Sequence, residues 1–331
     1  MFENNQKRKK VAVIGAGISG LSCATQLKQL GLEITVFEKS RGPSGRMSTR
    51  HGDDWIADHG AQYFTARDPL FIKELNTWTK NGSVALWEPN LKVYEAGQWR
   101  QTRNKEVRYV GIPNMNSPGK YLAQGLSVNY QQTITSIERK NNQWLLCSQE
   151  SGEIDTPFDW LILSIPAPQV KKLCEPNFQD IVEVSEQANM KACFTLMSVF
   201  NQPTNVEFDA AFVNNEIISW ICKNNSKPGR FGLESWTIHA NPEWSEEFAD
   251  ADLNTAKDLL IACAQKIGLD AQNAQNSIHR WRYANGFITS SPEFQINTDK
   301  QIGVCGDWLH GGRVEGAWLS GHKLANKVGS Y

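Results

Sequence analysis

The sequence predicts an α/β fold built on a buried parallel sheet, and three short apolar runs are the basis of this prediction. Residues 11–14, 159–165 and 301–305 have the continuous apolar character of strands that are covered on both faces. A glycine-rich turn and a helical pattern follow the first run, and a second helical pattern follows the last. Strands that alternate with helices are typical of parallel sheets.

The length and composition are those of an ordinary globular protein. The chain has 331 residues, with 40% hydrophobic and 21% charged residues, which is enough for about two domains. Its 34 Lys+Arg and 35 Asp+Glu residues leave a net charge of −1, so we expect no nucleic-acid partner. No apolar run approaches the ~18 residues of a membrane-spanning helix, so we expect no membrane span. The 12 Trp residues suggest large packing surfaces or a planar ligand.

The cysteines and histidines argue against disulfides and metals. Seven scattered cysteines include no C-x-x-C pair, and we interpret them as free thiols of a reducing, cytoplasmic compartment. The six histidines lack metal-ligand spacing, so we expect no metal site. The basic residues 7–10 precede an apolar stretch that contains three glycines, and we interpret them as a solvated leader rather than a signal peptide.

The first strand leads into a complete G-x-G-x-x-G motif. The motif residues are Gly15, Ala16, Gly17, Ile18, Ser19 and Gly20. A helix should follow to about residue 30, then a second strand at 34–37 that ends at Glu38. The motif's first glycine permits a tight turn, the second a close approach of pyrophosphate, and the third close helix packing, while Glu38 would accept hydrogen bonds from a ribose. This context predicts a bound dinucleotide, and the motif alone does not separate NAD from FAD.

Two further segments favour FAD because they resemble the FAD-dependent amine oxidase superfamily. Residues 39–50 form a Gly/Pro/Ser-rich loop with three arginines, and Ser44-Gly45-Arg46 resembles the superfamily's Gly-Gly-Arg signature, with Ser44 in place of the first glycine. Near the C-terminus, a strand at 301–305 is followed by Gly306-Asp307-Trp308 and by a helix at about 314–328, whose N-terminus could point at a flavin ring.

The superfamily resemblance implies non-covalent FAD, since no cysteine lies in a context that resembles a covalent flavin attachment. Asp307 would bind the ribityl chain, the start of the last helix would present N–H groups to the flavin, and Ile134 would contact the adenine end through its backbone. The expected cofactor-binding residues are Gly15, Ala16, Gly17, Ile18, Ser19, Gly20, Glu38, Lys39, Arg46, Met47, Gly60, Ala61, Gln62, Ile134, Asp307, Val314 and Glu315.

Within that superfamily the sequence looks like the renalase family and its bacterial members. The segments that carry this resemblance are residues 39–42, 45–48, 58–69, 220–230, 236–240, 280–284, 306–308 and 312–321. The resemblance implies an FAD-dependent oxidase that takes a hydride from 2- or 6-dihydro isomers of NAD(P) and reduces O2 to H2O2. A flavin amine oxidase acting on a small amine and an FAD-binding protein without turnover remain as alternatives. The oligomeric state is left open.

The substrate-binding candidates come from the same resemblance. Aromatic faces could sandwich a nicotinamide ring or pack in the core. Arg67 could meet a phosphate or serve as a surface ion-pair partner, and His239 could orient a carboxamide or be a core histidine. The expected substrate-binding residues are Tyr63, Phe64, Thr65, Arg67, Thr195 and His239, of which His239 is also the candidate catalytic residue. Asp58 and His59 are not expected to form a dyad, because neighbours in a strand point to opposite faces.

The resemblance also implies an interrupted domain organisation. We expect a Rossmann-like FAD-binding domain from residues 1–75, 115–170 and 295–331. Residues 76–114 and 171–294 should form a second, α+β substrate domain on a mostly antiparallel sheet. Strand-like runs at 194–200, 217–222 and 233–239 support the second domain.

Overall fold

The computed structural model describes residues 8–103, 105–215, 217–289 and 292–331. The chain folds into two compact units. The first contains the described residues up to Gly45, then Gly119–Asn189 and Phe287–Tyr331, and the second contains Arg46–Pro118 and Met190–Gly286. The chain thus leaves the first unit at Gly45, earlier than the limit of 75 expected for the FAD-binding domain, and it returns to that unit for residues 171–189.

The described residues form 20 strands and eight α-helices. The strands are β1 (Lys10–Ile14), β2 (Glu33–Glu38), β3 (Thr49–His51), β4 (Ile56–Asp58), β5 (Val84–Trp87), β6 (Leu91–Glu95), β7 (Gln98–Gln101), β8 (Arg108–Gly111), β9 (Ser127–Tyr130), β10 (Ile134–Lys140), β11 (Gln143–Ser148), β12 (Gly152–Glu153), β13 (Trp160–Leu163), β14 (Lys191–Phe200), β15 (Ala210–Asn214), β16 (Ile218–Lys223), β17 (Glu234–Ala240), β18 (Gln275–Asn285), β19 (Gln295–Asn297) and β20 (Ile302–Val304). The helices are α1 (Ile18–Gln29), α2 (Pro69–Lys80), α3 (Ser117–Ala123), α4 (Ala167–Cys174), α5 (Gln179–Glu186), α6 (Pro242–Glu247), α7 (Leu253–Lys266) and α8 (Val314–Val328).

The first unit is built on a six-stranded sheet in the order β19-β20-β13-β1-β2-β9. All neighbours in this sheet are parallel except the edge strand β19, which runs antiparallel to β20. The apolar runs that predicted buried strands form β1, β13 and β20, whose inner residues have no access to solvent. The predicted α/β class with a parallel sheet is therefore confirmed.

Helices α1 and α8 pack closely in this first unit. A Cβ atom on Gly321 of α8 would lie 2.0 Å from the backbone oxygen of Ser19 in α1. The hydroxyl of Ser22 donates to the carbonyl of Trp318 at 2.9 Å across the same contact. The helix that follows the G-x-G-x-x-G motif is thus held by the C-terminal helix through backbone approach, which only glycine permits at position 321.

The second unit is built on a seven-stranded, mostly antiparallel sheet in the order β18-β14-β17-β16-β15-β6-β7, in which β6 and β15 are parallel. One face carries an apolar core against α6 and α7, including Leu196, Trp236, Ile238, Leu260 and Ala264. Strand residues alternate between faces, so Thr195, Thr237 and His239 lie on the opposite face. The mostly antiparallel sheet of the second unit is also as predicted.

The described ranges were searched for membrane-spanning helices and for clusters of metal-binding side chains. None of the described helices has both the length and the apolar character needed to cross a membrane. Within the same ranges, no group of three or more His, Cys, Asp or Glu residues is placed to hold a metal ion.

The substitution Gly321→Val should destabilise the first unit, because its side chain would collide with the backbone of α1. Overpacking of this kind costs about 1–3 kcal/mol. The measurement is the urea midpoint of unfolding, with Gly42→Val as the matched control, since a Cβ at Gly42 meets no atom within 4 Å. Equal midpoints for the two variants would contradict the proposed packing.

Candidate functional site

The three glycines of the G-x-G-x-x-G turn have different physical constraints. Gly15 has φ +103°, and a Cβ there would lie 2.3 Å from the backbone oxygen of Ser164. A Cβ on Gly20 would lie 2.1 Å from the backbone oxygen of Gly15. At Gly17, in contrast, a Cβ would meet no protein atom within 4 Å. The first and third glycines are therefore required by the protein's own packing, whereas the open space beside Gly17 is what the close approach of a pyrophosphate needs.

The carboxylate of Glu38 is held beside this turn at the carboxyl end of β2. Its two oxygens accept hydrogen bonds from the backbone N–H groups of Ala16 at 2.7 Å and Ser40 at 2.8 Å. Helix α1 begins after Gly17 with no side-chain cap, so the amide groups of its first turn can face an anion. Turn, helix N-terminus and acid are thus together, as a dinucleotide site requires.

The loop that follows β2 folds back onto the turn. The N–H of Ser44 donates to the carbonyl of Ala16 at 2.8 Å, and Ser44 pairs with Gly17 in an isolated bridge. Ser44 has φ +95°, a conformation that favours glycine. Its side chain lies against Gly119, where a Cβ would approach the Ser44 hydroxyl to 2.0 Å. The departure from the Gly-Gly-Arg signature is therefore accommodated by a glycine on a distant segment.

A second uncapped helix N-terminus lies in the C-terminal part of the first unit. Helix α8 begins at Val314 without a side-chain cap from Arg313, and Glu315 lies in its first turn. The preceding loop is ordered by the carbonyl of Asp307, which accepts from the N–H groups of His310 and Gly312, both at 2.8 Å. Asp307 is buried. The assignment of these residues to the flavin end stays a prediction. Lys39 is exposed, and Ile134 is buried at the start of β10.

In the second unit, a buried ionic network anchors the loop of residues 58–62. The Asp58 carboxylate accepts from Lys227 Nζ at 3.1 Å, from Arg230 Nη2 at 2.6 Å and from the Thr49 hydroxyl at 2.7 Å. All three charged side chains are inaccessible to solvent. Burial raises the pKa of Asp58, but Lys227 and Arg230 outweigh it, so the pKa is lowered overall.

The same network fixes the backbone on both sides of Asp58. Gln62 Nε2 donates to the carbonyl of Asp58 at 2.6 Å, and Lys227 Nζ donates to Gln62 Oε1 at 3.1 Å. The hydroxyl of Thr237 on β17 donates to the carbonyl of Asp58 at 2.9 Å. Gly60 is enclosed as well, because a Cβ there would lie 1.9 Å from the backbone oxygen of Arg46. Gly60, Ala61 and Gln62 are therefore rigidly held residues of one unit.

A row of imidazole and indole side chains crosses the face of the seven-stranded sheet opposite the apolar core. Thr195 on β14 is the register partner of His239 on β17 and of His279 on β18, and His239 is the partner of Trp220 on β16. His59 adjoins this row: its ring lies 5.1 Å from the ring of His279. We call these five residues the imidazole row.

The histidines of the imidazole row are neutral at neutral pH. Burial, followed by the neighbouring side chains of His279 and Arg50, lowers the pKa of His59 to about 3, because a second proton on His59 would be repelled by them. Burial, followed by the charge on Lys227, lowers the pKa of His239 to about 4. Burial and Arg50 also lower the pKa of His279. Each ring therefore offers one donor and one acceptor rather than a charge.

Several polar atoms in this row are buried without a hydrogen-bond partner among the described residues. They are His59 Nδ1, Thr195 Oγ1, Trp220 Nε1 and His239 Nε2. Buried polar atoms are nearly always satisfied, so a set of unsatisfied ones on one face marks a place where a polar ligand or ordered water completes the structure. Tyr63 adds an aromatic face, with its ring 5.6 Å from that of Trp220.

The remaining predicted substrate residues are not all brought to this row. Phe64 is buried in an apolar cluster with Phe71, Trp78 and Tyr109, so its ring packs in the core. Arg67 is half-exposed and forms an ion pair with Glu106 and a 3.2 Å hydrogen bond with Thr65. Asp58 and His59 face different partners, since the ring of His59 stacks on Trp281 at 5.2 Å.

Two predicted cofactor residues lie at the start of the second unit. Arg46 donates from Nη1 to the carbonyl of Ala284 at 2.8 Å, and Met47 is buried. Lys191 at the start of β14 forms an ion pair with Glu243 at 2.5 Å.

Sequence reasoning did not assign roles to several residues that the structure brings together. They are Trp220, Asn224, Lys227, Arg230, His279, Trp281 and Arg108. Apart from Arg108, these residues belong to or adjoin segments that carry the family resemblance. The charge of Lys227 within such a segment was the one signal of a buried ion pair. Its partner Asp58 is about 170 positions away, so the pairing could not be predicted from sequence spacing.

Comparisons with known proteins identify a dinucleotide-binding segment in this chain. A family profile described as an NAD(P)-binding Rossmann-like domain matches residues 13–73. Mitochondrial protoporphyrinogen oxidase from Nicotiana tabacum is 35% identical over 109 residues, which are 33% of this chain and 18% of that protein. The chain thus spans about a fifth of the length of this curated relative.

Solved structures resemble the whole chain. Cyclohexylamine oxidase from Brevibacterium oxydans IH-35A has a TM-score of 0.76 at 11% identity, and the match covers 98% of this chain and 99% of that chain. Wild-type putrescine oxidase bound to putrescine has a TM-score of 0.74 at 12% identity, with coverage of 98% and 99%.

The chain is therefore a protein with a Rossmann-like dinucleotide-binding segment and the fold of these two amine oxidases. These findings support the flavin amine oxidase superfamily as the group that the sequence resembles.

Gly17→Ala should weaken dinucleotide retention without unfolding the protein, because the new methyl group enters space that the protein leaves open. We expect an affinity loss of about tenfold or more for the flavin dinucleotide, about 1.4 kcal/mol. Flavin absorbance per protein after gel filtration measures retention, with Gly42→Ala as the matched control. Full retention by Gly17→Ala would show that no phosphate approaches there.

Asp58→Asn should destabilise the second unit by about 3–5 kcal/mol, because it leaves Lys227 and Arg230 buried without a counter-charge. The lowered pKa of Asp58 means that its contribution is present above about pH 4 and is lost as the pH falls through the lowered folded-state pKa. Urea unfolding at several pH values should therefore show less loss of stability on acidification for Asp58→Asn than for wild type. The exposed Asp53→Asn is the control, and identical pH profiles for Asp58→Asn and wild type would count against the network.

Proposed function

We propose that the protein is an FAD-dependent oxidase that takes a hydride from 2- or 6-dihydro isomers of NAD(P), releases NAD(P)+ and reduces O2 to H2O2. The observation that carries this proposal is the imidazole row: neutral rings with unsatisfied polar atoms, beside aromatic faces, in surroundings with surplus positive charge. These aromatic faces, polar atoms and positive charges are complementary to a substrate with a flat, uncharged ring, an amide group on that ring and attached phosphates.

The first unit suits FAD held non-covalently. Open space beside Gly17 and the amide groups at the start of α1 would receive the pyrophosphate, and Glu38 would accept from a ribose. Asp307 and the start of α8 suit the flavin end, while Arg46, Met47 and residues 60–62 stay predictions as cofactor contacts. Bound FAD would supply hydride acceptance at N5 and two-electron reduction of O2.

The role of the imidazole row is to orient the substrate. A carboxamide has both donors and an acceptor, and His239 Nε2 and the Trp220 indole N–H offer matching groups. Transfer of a hydride from a dihydronicotinamide leaves an aromatic ring and needs no base to remove a proton. Neutral imidazoles that orient without exchanging protons therefore suffice for this reaction.

Charge argues for this substrate class over an ammonium ion. The buried charged side chains of the described second unit are Asp58, Arg108, Lys227 and Arg230, a surplus of two positive charges. Asp58, the one carboxylate among them, is already paired with Lys227 and Arg230. A cationic amine would meet like charges there, whereas the phosphates of a dinucleotide would be attracted.

Amine oxidation is the second candidate, because the chain shares the fold of cyclohexylamine oxidase and putrescine oxidase. Under this alternative, an amine would have to bind as the neutral base, since the buried carboxylate of the second unit is engaged. The two candidates therefore differ in the charge of the molecule that the site accepts.

Anaerobic mixing of the purified holoenzyme with candidate reductants separates the candidates. We expect rapid bleaching of the flavin absorbance by the 2- or 6-dihydro isomers of NAD(P) and little by 4-dihydro-NADH or by amines, followed by H2O2 release when O2 is admitted. His239→Ala should slow bleaching about tenfold without loss of FAD, since it removes one orienting hydrogen bond. The exposed His51→Ala is the matched control. The low pKa values of His59 and His239 predict a rate that stays constant between about pH 5.5 and 8.

Three outcomes would contradict the proposal. Bleaching by amines alone would assign the protein to the second candidate. Absence of bleaching by every compound would leave a flavin-binding protein without this turnover. A rate inflection near pH 6.5 that His239→Ala abolishes would show a titrating, rather than neutral, imidazole.

A further inference from the structure

Arg108 is a buried cation that forms no ion pair with a carboxylate among the described residues. It lies on β8 with 4% of its surface exposed. Its Nη1 donates to the backbone oxygen of Glu106 at 2.8 Å. Its Nε and Nη2 are buried and have no hydrogen-bond partner among the described residues. Leaving two guanidinium donors unsatisfied in the interior is costly, so this arrangement calls for an acceptor.

The two free donors form one edge of the guanidinium plane. Nε–H and the outward N–H of Nη2 point in the same direction, and this edge matches two oxygens of a carboxylate or phosphate. Arg67 contrasts with this arrangement, because it is half-exposed and already paired with Glu106. The two arginines thus differ in burial and in partner.

The guanidinium of Arg108 is connected to the imidazole row through the ring of Tyr63. The guanidinium lies 5.1 Å from the ring of Tyr63, and the ring of Tyr63 lies 5.6 Å from that of Trp220. Trp87, the register partner of Arg108, lies 6.1 Å from the ring of Tyr63. The partly exposed ring of Tyr63 thus neighbours both the Arg108 guanidinium and the indole of Trp220.

We propose that Arg108, rather than Arg67, binds an oxyanion of the substrate, a phosphate or a carboxylate, through its Nε and Nη2 atoms. The oxyanion reaches this edge when the ring of Tyr63 moves aside, and it neutralises part of the surplus positive charge of the second unit. The inference rests on the proposed function in that it assigns a second contact to the molecule whose ring lies on the imidazole row.

Binding measurements on the holoenzyme test this assignment without any turnover. Occupied FAD sites prevent the probes from binding there. Isothermal titration with nicotinamide mononucleotide, ADP-ribose and nicotinic acid distinguishes a single phosphate, a pyrophosphate and a carboxylate, and uncharged nicotinamide is the reference. We expect Arg108→Gln to weaken at least one anionic probe by about tenfold or more and to leave nicotinamide unchanged.

The matched control is Arg67→Gln, which removes a surface guanidinium and should change no probe by more than about twofold. Arg108→Lys keeps the charge but loses the two-pronged edge, so it should restore binding only in part. If Arg108→Gln does not fold, Arg108→Lys takes its place. The thermal midpoints of unfolding of wild type and Arg108→Lys are then compared with and without nicotinamide mononucleotide at matched ionic strength.

Two results would overturn the proposal. The first is wild-type holoenzyme that binds none of the three anionic probes. The second is a folded Arg108 variant that binds all of them as wild type does, which would show that Arg108 is satisfied by buried water. The oxyanion site and the proposed reaction can also be separated. If no dihydro-NAD(P) isomer bleaches the wild-type flavin but Arg108→Gln still loses anion binding, the oxyanion site is supported and only the proposed reaction is wrong.

Discussion

The carboxylate of Asp58 is the interaction on which the organisation of the second unit depends. It is inaccessible to solvent, yet its lowered pKa keeps it ionised because Lys227 and Arg230 are beside it. Neither cation would tolerate burial without it. Through this contact, β4, the loop of residues 58–62 and the segment after β16 are held together, and the carbonyl of Asp58 is also tied to Thr237 on β17. His59, the next residue, is held against the sheet as well, because Trp281 Nε1 on β18 donates to its carbonyl at 2.9 Å.

Charge imbalance gives this unit its chemical character. A buried network that is neutral overall contributes structure, whereas one with surplus cations also creates a positive potential that partners must satisfy. That potential depresses the pKa of His239 through Lys227, after the larger effect of burial. Lys227, one of the two buried cations that anchor the loop, therefore also helps to keep His239 neutral, so this side chain has both a structural and a chemical effect.

The glycines of the G-x-G-x-x-G turn are needed for different physical reasons. Gly15 and Gly20 are glycines because the protein's own backbone occupies the space of a side chain, and Gly17 is a glycine although no protein atom does. Ser44 shows the reverse, since a residue that departs from the expected glycine is tolerated because Gly119 leaves room for its hydroxyl. A sequence motif thus indicates a backbone conformation. Which substitutions this conformation tolerates depends on the residues packed around it.

The sequence predicted the parallel-sheet class, the turn and helix of the dinucleotide segment, and the position of Glu38, because these depend on local apolar runs and on glycines at short spacing. It also placed His239 and Thr195 on strands, but not on a common face with Trp220 and His279, because that depends on the register of four strands. The folded structure was needed to show that Phe64 packs in the core and that Arg67 pairs with Glu106. It was also needed to show that Arg108 is buried with two donors that have no partner among the described residues. Burial and pairing are properties of distant neighbours, and no spacing along the chain encodes them.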